Sequence, residues 1–154
     1  MSKGLLKYSD SFSVLDETIT SFIQEVNRHH LQNMTTDKWS VKDVLCHIVF
    51  WHRYYAQNYS ALAKGDAPIV FTSKGGSTRN QEGVDSLKHN SKDKLIELLQ
   101  EAQKSLHESI VVKSVPEMNY TDRKKYSTKD FLSEIIRHLK NHTKQIMHVK
   151  DTSN

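Results

Sequence analysis

The chain has little of what punctuates or staples a fold: among 154 residues there are only five glycines, two prolines and one cysteine. A lone thiol at Cys46 cannot close an internal disulfide, which argues against a cross-linked secreted scaffold and for a reducing, cytoplasmic setting. So few chain breakers mean few turns, and long helices are expected rather than many short strands. No segment approaches the roughly 18 apolar residues of a membrane span, and the opening MSKGLLKYSD has no apolar run of signal-peptide length, so neither membrane insertion nor export is expected. Lys and Arg exceed Asp and Glu enough for a formal charge of +4, but the basic residues are scattered over polar faces. With no basic cluster interleaved with exposed aromatics, nucleic acid is not the expected partner.

What is present is a helix-rich composition, 36% hydrophobic and 26% charged, in a chain of the size of one ordinary domain. A single domain over 1–154 with a core of its own is expected. A first helix is predicted from Ser9 or Ser11 to about His30, with Phe12, Leu15, Ile19, Phe22, Ile23 and Val26 at helical spacing. After a polar stretch, Ser40 and Asp43 make a capping-box-like start for a second helix. Its stripe is Val44, Leu45, Ile48, Trp51, Tyr55, Tyr59 and Leu62, stopping near Gly65. Residues 65–90 hold four of the five glycines and one of the two prolines, and read as a long irregular connection with a short strand or turn at Ile69–Phe71. Lys74, Gly75, Gly76, Ser77 and Thr78 lack the spacing of a phosphate-cradling loop and read as its tip. In a four-helix bundle such a link lets the third helix run in the same direction as the second, a crossover topology. That third helix opens at Asn90 or Ser91, carries Leu95, Leu98, Leu99, Ala102, Leu106 and Ile110 inward, and ends before Pro116. Residues 115–123 read as a connecting loop.

The strongest pattern lies in Tyr126–Val149. Phe131, Ile135, His138, His142, Ile146 and Val149 form one continuous helical face, widened by Leu132, Ile136, Leu139 and Met147. Ser127 and Asp130 repeat the helix-start signal: WSVKDVLCHI and YSTKDFLSEI align without gaps, as two similarly capped amphipathic helices would.

His138 and His142 therefore fall on a stripe that ought to be buried, at the spacing by which one helix offers two ligands to one metal ion. His47 lies on or beside the stripe of the second helix. If the two helices face each other, three imidazoles converge and leave an open fourth position, the arrangement of a catalytic divalent-metal site. Glu134, one turn before His138, is the candidate to orient an imidazole, act as a base or supply a carboxylate ligand. The competing reading is that each inward histidine is a hydrogen-bonded core residue, since a chain with nine histidines throws up such a pair by chance. His29, His30, His52, His89, His107 and His148 fall at helix ends or on polar faces and are expected in solvent, His52 being the least clear-cut. Cys46 is expected as a small buried side chain. Trp51, Tyr54, Tyr55 and Tyr59 read as core, with an aromatic pocket as the alternative.

The segment WSVKDVLCHIVFWHRYY after a polar loop, the long link, and RHLKNHTKQI near the end resemble the DinB-like superfamily of four-helix bundles (the damage-inducible proteins, not the polymerase), and within it the ClbS/DfsB group. The likeness runs from the first helix to about Val149. It implies an all-α four-helix bundle with a long crossover between the second and third helices. It also implies a divalent metal ion, commonly zinc or nickel, held by a histidine of the second helix and the H-x3-H pair of the last; the matching positions are His47, His138 and His142. ClbS-like relatives include a resistance protein that opens the cyclopropane of a genotoxin. Their last helix begins with a Ser-Ser-His-Tyr type segment that this chain lacks, so the resemblance carries over a site and not that reaction. Other members resemble transferases and isomerases that use low-molecular-weight thiols.

Two functions are thus expected to compete. One is a metal-dependent hydrolase or thiol transferase acting on a small molecule, in stress or toxin resistance, with the 65–90 link covering the pocket. The other is a non-catalytic small-molecule-binding or stress-response bundle in which the histidines are structural. A homodimer through an exposed helix face is a further expectation.

Overall fold

The computed structural model describes residues 7–65, 76–115, 117–121 and 124–149. Five helices and one short antiparallel strand pair make up the described residues: α1 Ser9–Asn27, α2 Val41–Ala63, α3 Gly76–Leu87, α4 Lys92–Val112, β1 Met118–Thr121, β2 Lys124–Tyr126 and α5 Thr128–Met147. The fold is all-α in its core. Among the described residues no helix is long and apolar enough to cross a membrane.

The start signals in the sequence become real caps. Ser40 and Asp43 form a complete capping box on α2, and Ser127 and Asp130 form another on α5, each serine oxygen accepting an N–H while the acidic group takes the cap residue's own N–H. Ser91 caps α4 by accepting from Lys94 N–H. At the far end of α2, Gly65 adopts φ +89°, the left-handed conformation that only glycine takes without strain, and its N–H bonds the Leu62 carbonyl.

The apolar stripes pack into one core. Leu15 and Phe22 of α1, Val44 and Leu45 of α2, Leu95, Leu99 and Leu106 of α4, and Phe131 and Leu132 of α5 have no exposure to solvent. Ring contacts and hydrogen bonds fix the relative directions. Tyr59 near the end of α2 stacks on Phe131 near the start of α5, while His47 near the start of α2 meets His138 well along α5, so these two helices are antiparallel. His52 meets Gln103, and Tyr59 meets Val115 just past the end of α4, so α2 and α4 run the same way. Phe12 stacks on His107 and Asp16 meets Gln103, which sets α1 antiparallel to α4.

Several expectations are corrected. Residues 65–90 are not irregular throughout, because α3 occupies Gly76–Leu87. Only Val84 and Leu87 of this helix are buried hydrophobics, too few to write a stripe into the sequence. α3 is seated instead by polar contacts to aromatic side chains: Trp39 Nε1–H to Gln81 at 3.1 Å, Trp51 Nε1–H to Asn80 at 2.7 Å, and an Arg79 N–H to the Tyr54 hydroxyl at 3.2 Å. The strand or turn expected at Ile69–Phe71, and Lys74 and Gly75, lie outside the described residues. The 115–123 connection contains β1, which pairs with β2 as Met118 opposite Tyr126, so the link to α5 is a hairpin rather than a plain loop. Met147, expected on the apolar face, is 56% exposed, while Ile146 beside it stays fully buried, so Met147 falls outside the inward stripe.

His52 is the largest change. It is 2% exposed rather than solvated, its Nε2 bonding Gln103 Oε1 at 2.8 Å. His107 and His29 also depart from the solvated reading, the first stacked on Phe12 and the second 3.2 Å from Glu25. His30, His89 and His148 are exposed, as expected.

Candidate metal centre

The three histidines singled out from spacing come together. His47 Nε2 lies 3.1 Å from His138 Nε2, joining positions 91 residues apart, and His142 Nε2 lies 3.1 Å from the same atom. Ligand atoms of all three are within 4.8 Å of one another, and the cluster includes no carboxylate or thiol among the described residues. The rings meet edge to face, with centroids 4.6–5.1 Å apart. The antiparallel course of α2 and α5 brings this about: the capping boxes fix where each helix begins, and the Tyr59–Phe131 stack sets the offset between them.

The spacing suits a metal ion. Imidazole nitrogens about 2.0–2.1 Å from a tetrahedral centre stand about 3.3 Å apart, close to both short contacts seen here. Hydrogen bonding alone suits the cluster poorly. His138 Nε2 has a single in-plane position, filled by either a proton or a lone pair, yet it faces two other Nε2 atoms at 3.1 Å. With a proton it serves one neighbour, and with a lone pair it can be served by one; the other contact is left unmade. A cation held among the three rings would accept a lone pair from each.

Burial holds these rings neutral. Desolvation, followed by the neighbouring His142 and His138, pushes the His47 pKa down to about 2. Desolvation, with His142 and Arg137 behind it, lowers His138 to about 3. His142 is lowered in the same direction by burial, partly offset by its bond to Gln145. At neutral pH the cluster therefore presents lone pairs and not cations, which is what ligation requires.

Glu134 is not brought to the cluster. Its carboxylate takes two N–H groups of Arg137, one turn along the same helix, in an ion pair that faces outward. Cys46 is buried, and desolvation raises its thiol to about 11, so it sits inert beside His47 in sequence but outside the cluster. Trp51, Tyr55 and Tyr59 are core, with exposures of 7%, 6% and 0%.

Sequence reasoning missed the surroundings of the triad. The Trp39 ring packs on His47 with centroids 4.9 Å apart. His142 Nδ1 is 2.8 Å from Gln145 Oε1, and Gln145 Nε2–H donates to Thr35 Oγ1 at 2.8 Å. Gln145 stands one turn after His142, so helical spacing could have flagged it; Thr35 is 110 positions away and only the fold reveals it. His47 Nδ1 is buried with no hydrogen-bond partner among the described residues. A groove of about 640 Å³, lined by Thr18, Ile136, Arg137 and Lys140 among others, lies between α1 and α5 on a different face of α5 from the triad.

Comparison with known proteins finds no matching family model, no matching curated protein and no matching solved structure.

Proposed function

We propose that the chain is a DinB-like four-helix bundle that holds one divalent ion, zinc or nickel, on His47, His138 and His142. On this reading it acts in the cytoplasm on a small molecule, as a hydrolase or thiol transferase in stress or toxin resistance. The long helices α1, α2, α4 and α5 would be the four of the bundle, and the segment between α2 and α4 its crossover. The observation that carries the reading is the clustering of three neutral imidazoles, two Nε2 atoms each 3.1 Å from His138 Nε2 and all ligand atoms within 4.8 Å, an arrangement hydrogen bonding alone does not satisfy.

When bound, such an ion supplies Lewis acidity, polarising a substrate oxygen and making a water or thiol acidic near neutral pH. The protein's own part is positional. His47, His138 and His142 would hold the ion from two helices and would leave it accessible to a small molecule. Trp39 and the surrounding apolar core limit water around His47.

One observation favours the non-catalytic alternative, a small-molecule-binding or stress-response bundle. Glu134 is engaged by Arg137, and among the described residues the cluster has no carboxylate or thiol beside the imidazoles to move a proton.

Metal analysis of untagged protein, purified without chelator, tests the site. About one zinc or nickel per chain is expected in the wild type and none in His138→Ala. A metal-free wild type, or equal metal in the variant, removes the metal reading. Turnover of ester or thiol–electrophile substrates that disappears with the metal separates the enzyme from the binding module, and mass in solution tests the homodimer.

A further inference from the structure

The hydrogen bonds around the triad have a direction, and it can be followed from a group whose role is not negotiable. The Trp39 carbonyl can only accept. Thr35 Oγ1–H donates to it at 2.9 Å, which uses the one proton that the hydroxyl has. The Thr35 oxygen must then accept from Gln145, so the atom 2.8 Å away is the amide nitrogen and the amide orientation is settled. Gln145 Oε1 is left facing His142 Nδ1 at 2.8 Å, and an amide oxygen only accepts. His142 is therefore protonated on Nδ1, and its Nε2 carries a lone pair aimed at His138 Nε2.

From this we infer that Gln145 is a positioning residue that, held by Thr35 and the Trp39 carbonyl, fixes His142 in the Nδ1–H tautomer and so keeps its Nε2 available as a ligand. The consequence for metal binding rests on the proposed function, but the tautomer itself does not. His47 makes the contrast. Its Nδ1 has no hydrogen-bond partner among the described residues, so no comparable bond orients that ring. His142 is the ligand whose second nitrogen is anchored, the role that outer-shell acceptors play at metal-binding histidines. The anchor also ties the last helix to the 28–40 loop, whose own backbone is pinned by Val41 N–H to the Asn33 carbonyl at 2.8 Å and Lys42 N–H to the Leu31 carbonyl at 3.0 Å.

The test uses full-length protein labelled with ¹⁵N-histidine, freed of metal by chelation, and long-range ¹H–¹⁵N correlation spectra that report the tautomer of each ring. His142 should be Nδ1–H in the wild type and in Gln145→Glu, whose carboxylate also only accepts. It should shift toward Nε2–H in Gln145→Leu. Titration with zinc, and with cobalt(II) for its ligand-field absorption, should then give a Kd about 10- to 100-fold weaker for Gln145→Leu and near wild type for Gln145→Glu. A merely structural glutamine would change thermal stability and leave the tautomer and the Kd alone. Nε2–H His142 in the wild type, or an unchanged tautomer in Gln145→Leu, overturns the inference. If wild-type protein binds neither ion, the metal reading falls, and the spectra still decide the role of Gln145.

Discussion

Lowering the pH from 7.5 to 5.0 should remove about 2 kcal/mol of folding stability through His52 alone. This ring is 2% exposed and its pKa is pushed from 6.5 down to about 4, burial outweighing the bond to Gln103 that favours the charged form. The folded-state value lies below the unfolded one. Above about pH 7 the ring is neutral in both states and contributes nothing. As pH falls through 6.5 the unfolded chain takes up a proton that the folded chain refuses, so stability drops, and the drop ends only near the folded value of about 4. At pH 5.0 the unfolded ring is 1.5 pH units below its own pKa, and at about 1.36 kcal/mol per unit this gives the figure above. His47 and His138, lowered to about 2 and about 3, add terms of the same sign.

Urea unfolding with chelator present, at several pH values from 7.5 to 5.0, measures the total for the wild type. His52→Gln keeps a polar group next to Gln103 and removes the titration, so its stability should fall over the same range by about 2 kcal/mol less than the wild type's. Parallel curves for the two proteins would show that His52 is not buried in neutral form, and the packing of α2 against α4 described here would be wrong at its centre.

Three other substitutions or treatments read other parts of the fold. Tyr59→Phe removes a buried hydroxyl that accepts the part-buried Val115 N–H at 2.8 Å and bonds Thr128 Oγ1 at 2.8 Å, so both lose a partner; a loss of about 1–3 kcal/mol by urea unfolding is expected, and less than about 0.5 would refute that network. Gly83→Ala would put a Cβ 2.5 Å from Cγ of Phe50, and displacing that ring should cost about 1–3 kcal/mol; an unchanged melting curve would mean α3 is not seated on α2 as described. The Cys46 thiol, buried and raised to about 11, should resist a disulfide reagent in the native state and react at once in urea, whereas rapid native labelling would contradict its burial.

The parts of this fold that the sequence spells out are those with a local chemical signature. Ser40 with Asp43 and Ser127 with Asp130 announce helix starts because capping is settled within four residues. The convergence of His47 with His138 and His142 was legible because an amphipathic stripe states which side of a helix faces inward. What could not be read was decided between distant elements. α3 has only two buried apolar residues and is held by Trp39, Trp51 and Tyr54, whose polar atoms declare no partner in sequence. His52 reads as a surface ring because its partner Gln103 is 51 positions away, and only the fold brings the two together.

His52 and the triad together give an internal control for the metal reading, and a last prediction. At His52 the direction of bonding closes: exposed Asp16 only accepts, so Gln103 Nε2–H donates to it at 3.0 Å, Gln103 Oε1 faces inward, and His52 Nε2–H donates at 2.8 Å. That is a core histidine satisfied by protein groups, with no lone pair left on Nε2 to offer. At His138 the same reckoning does not close, since two Nε2 atoms compete for one position. A divalent ion should therefore stabilise the fold through the triad and not through His52. The site is assembled from α2 and α5 and exists only when they are packed, so an ion at about 100 times its Kd should add about 2.7 kcal/mol to the unfolding free energy. Thermal or urea unfolding with and without zinc should show that gain in the wild type and in His52→Gln, and not in His138→Ala. A gain of equal size in His138→Ala would place the ion on other histidines, and no gain in any of the three would leave the triad as a polar flaw in the core with no ligand to resolve it.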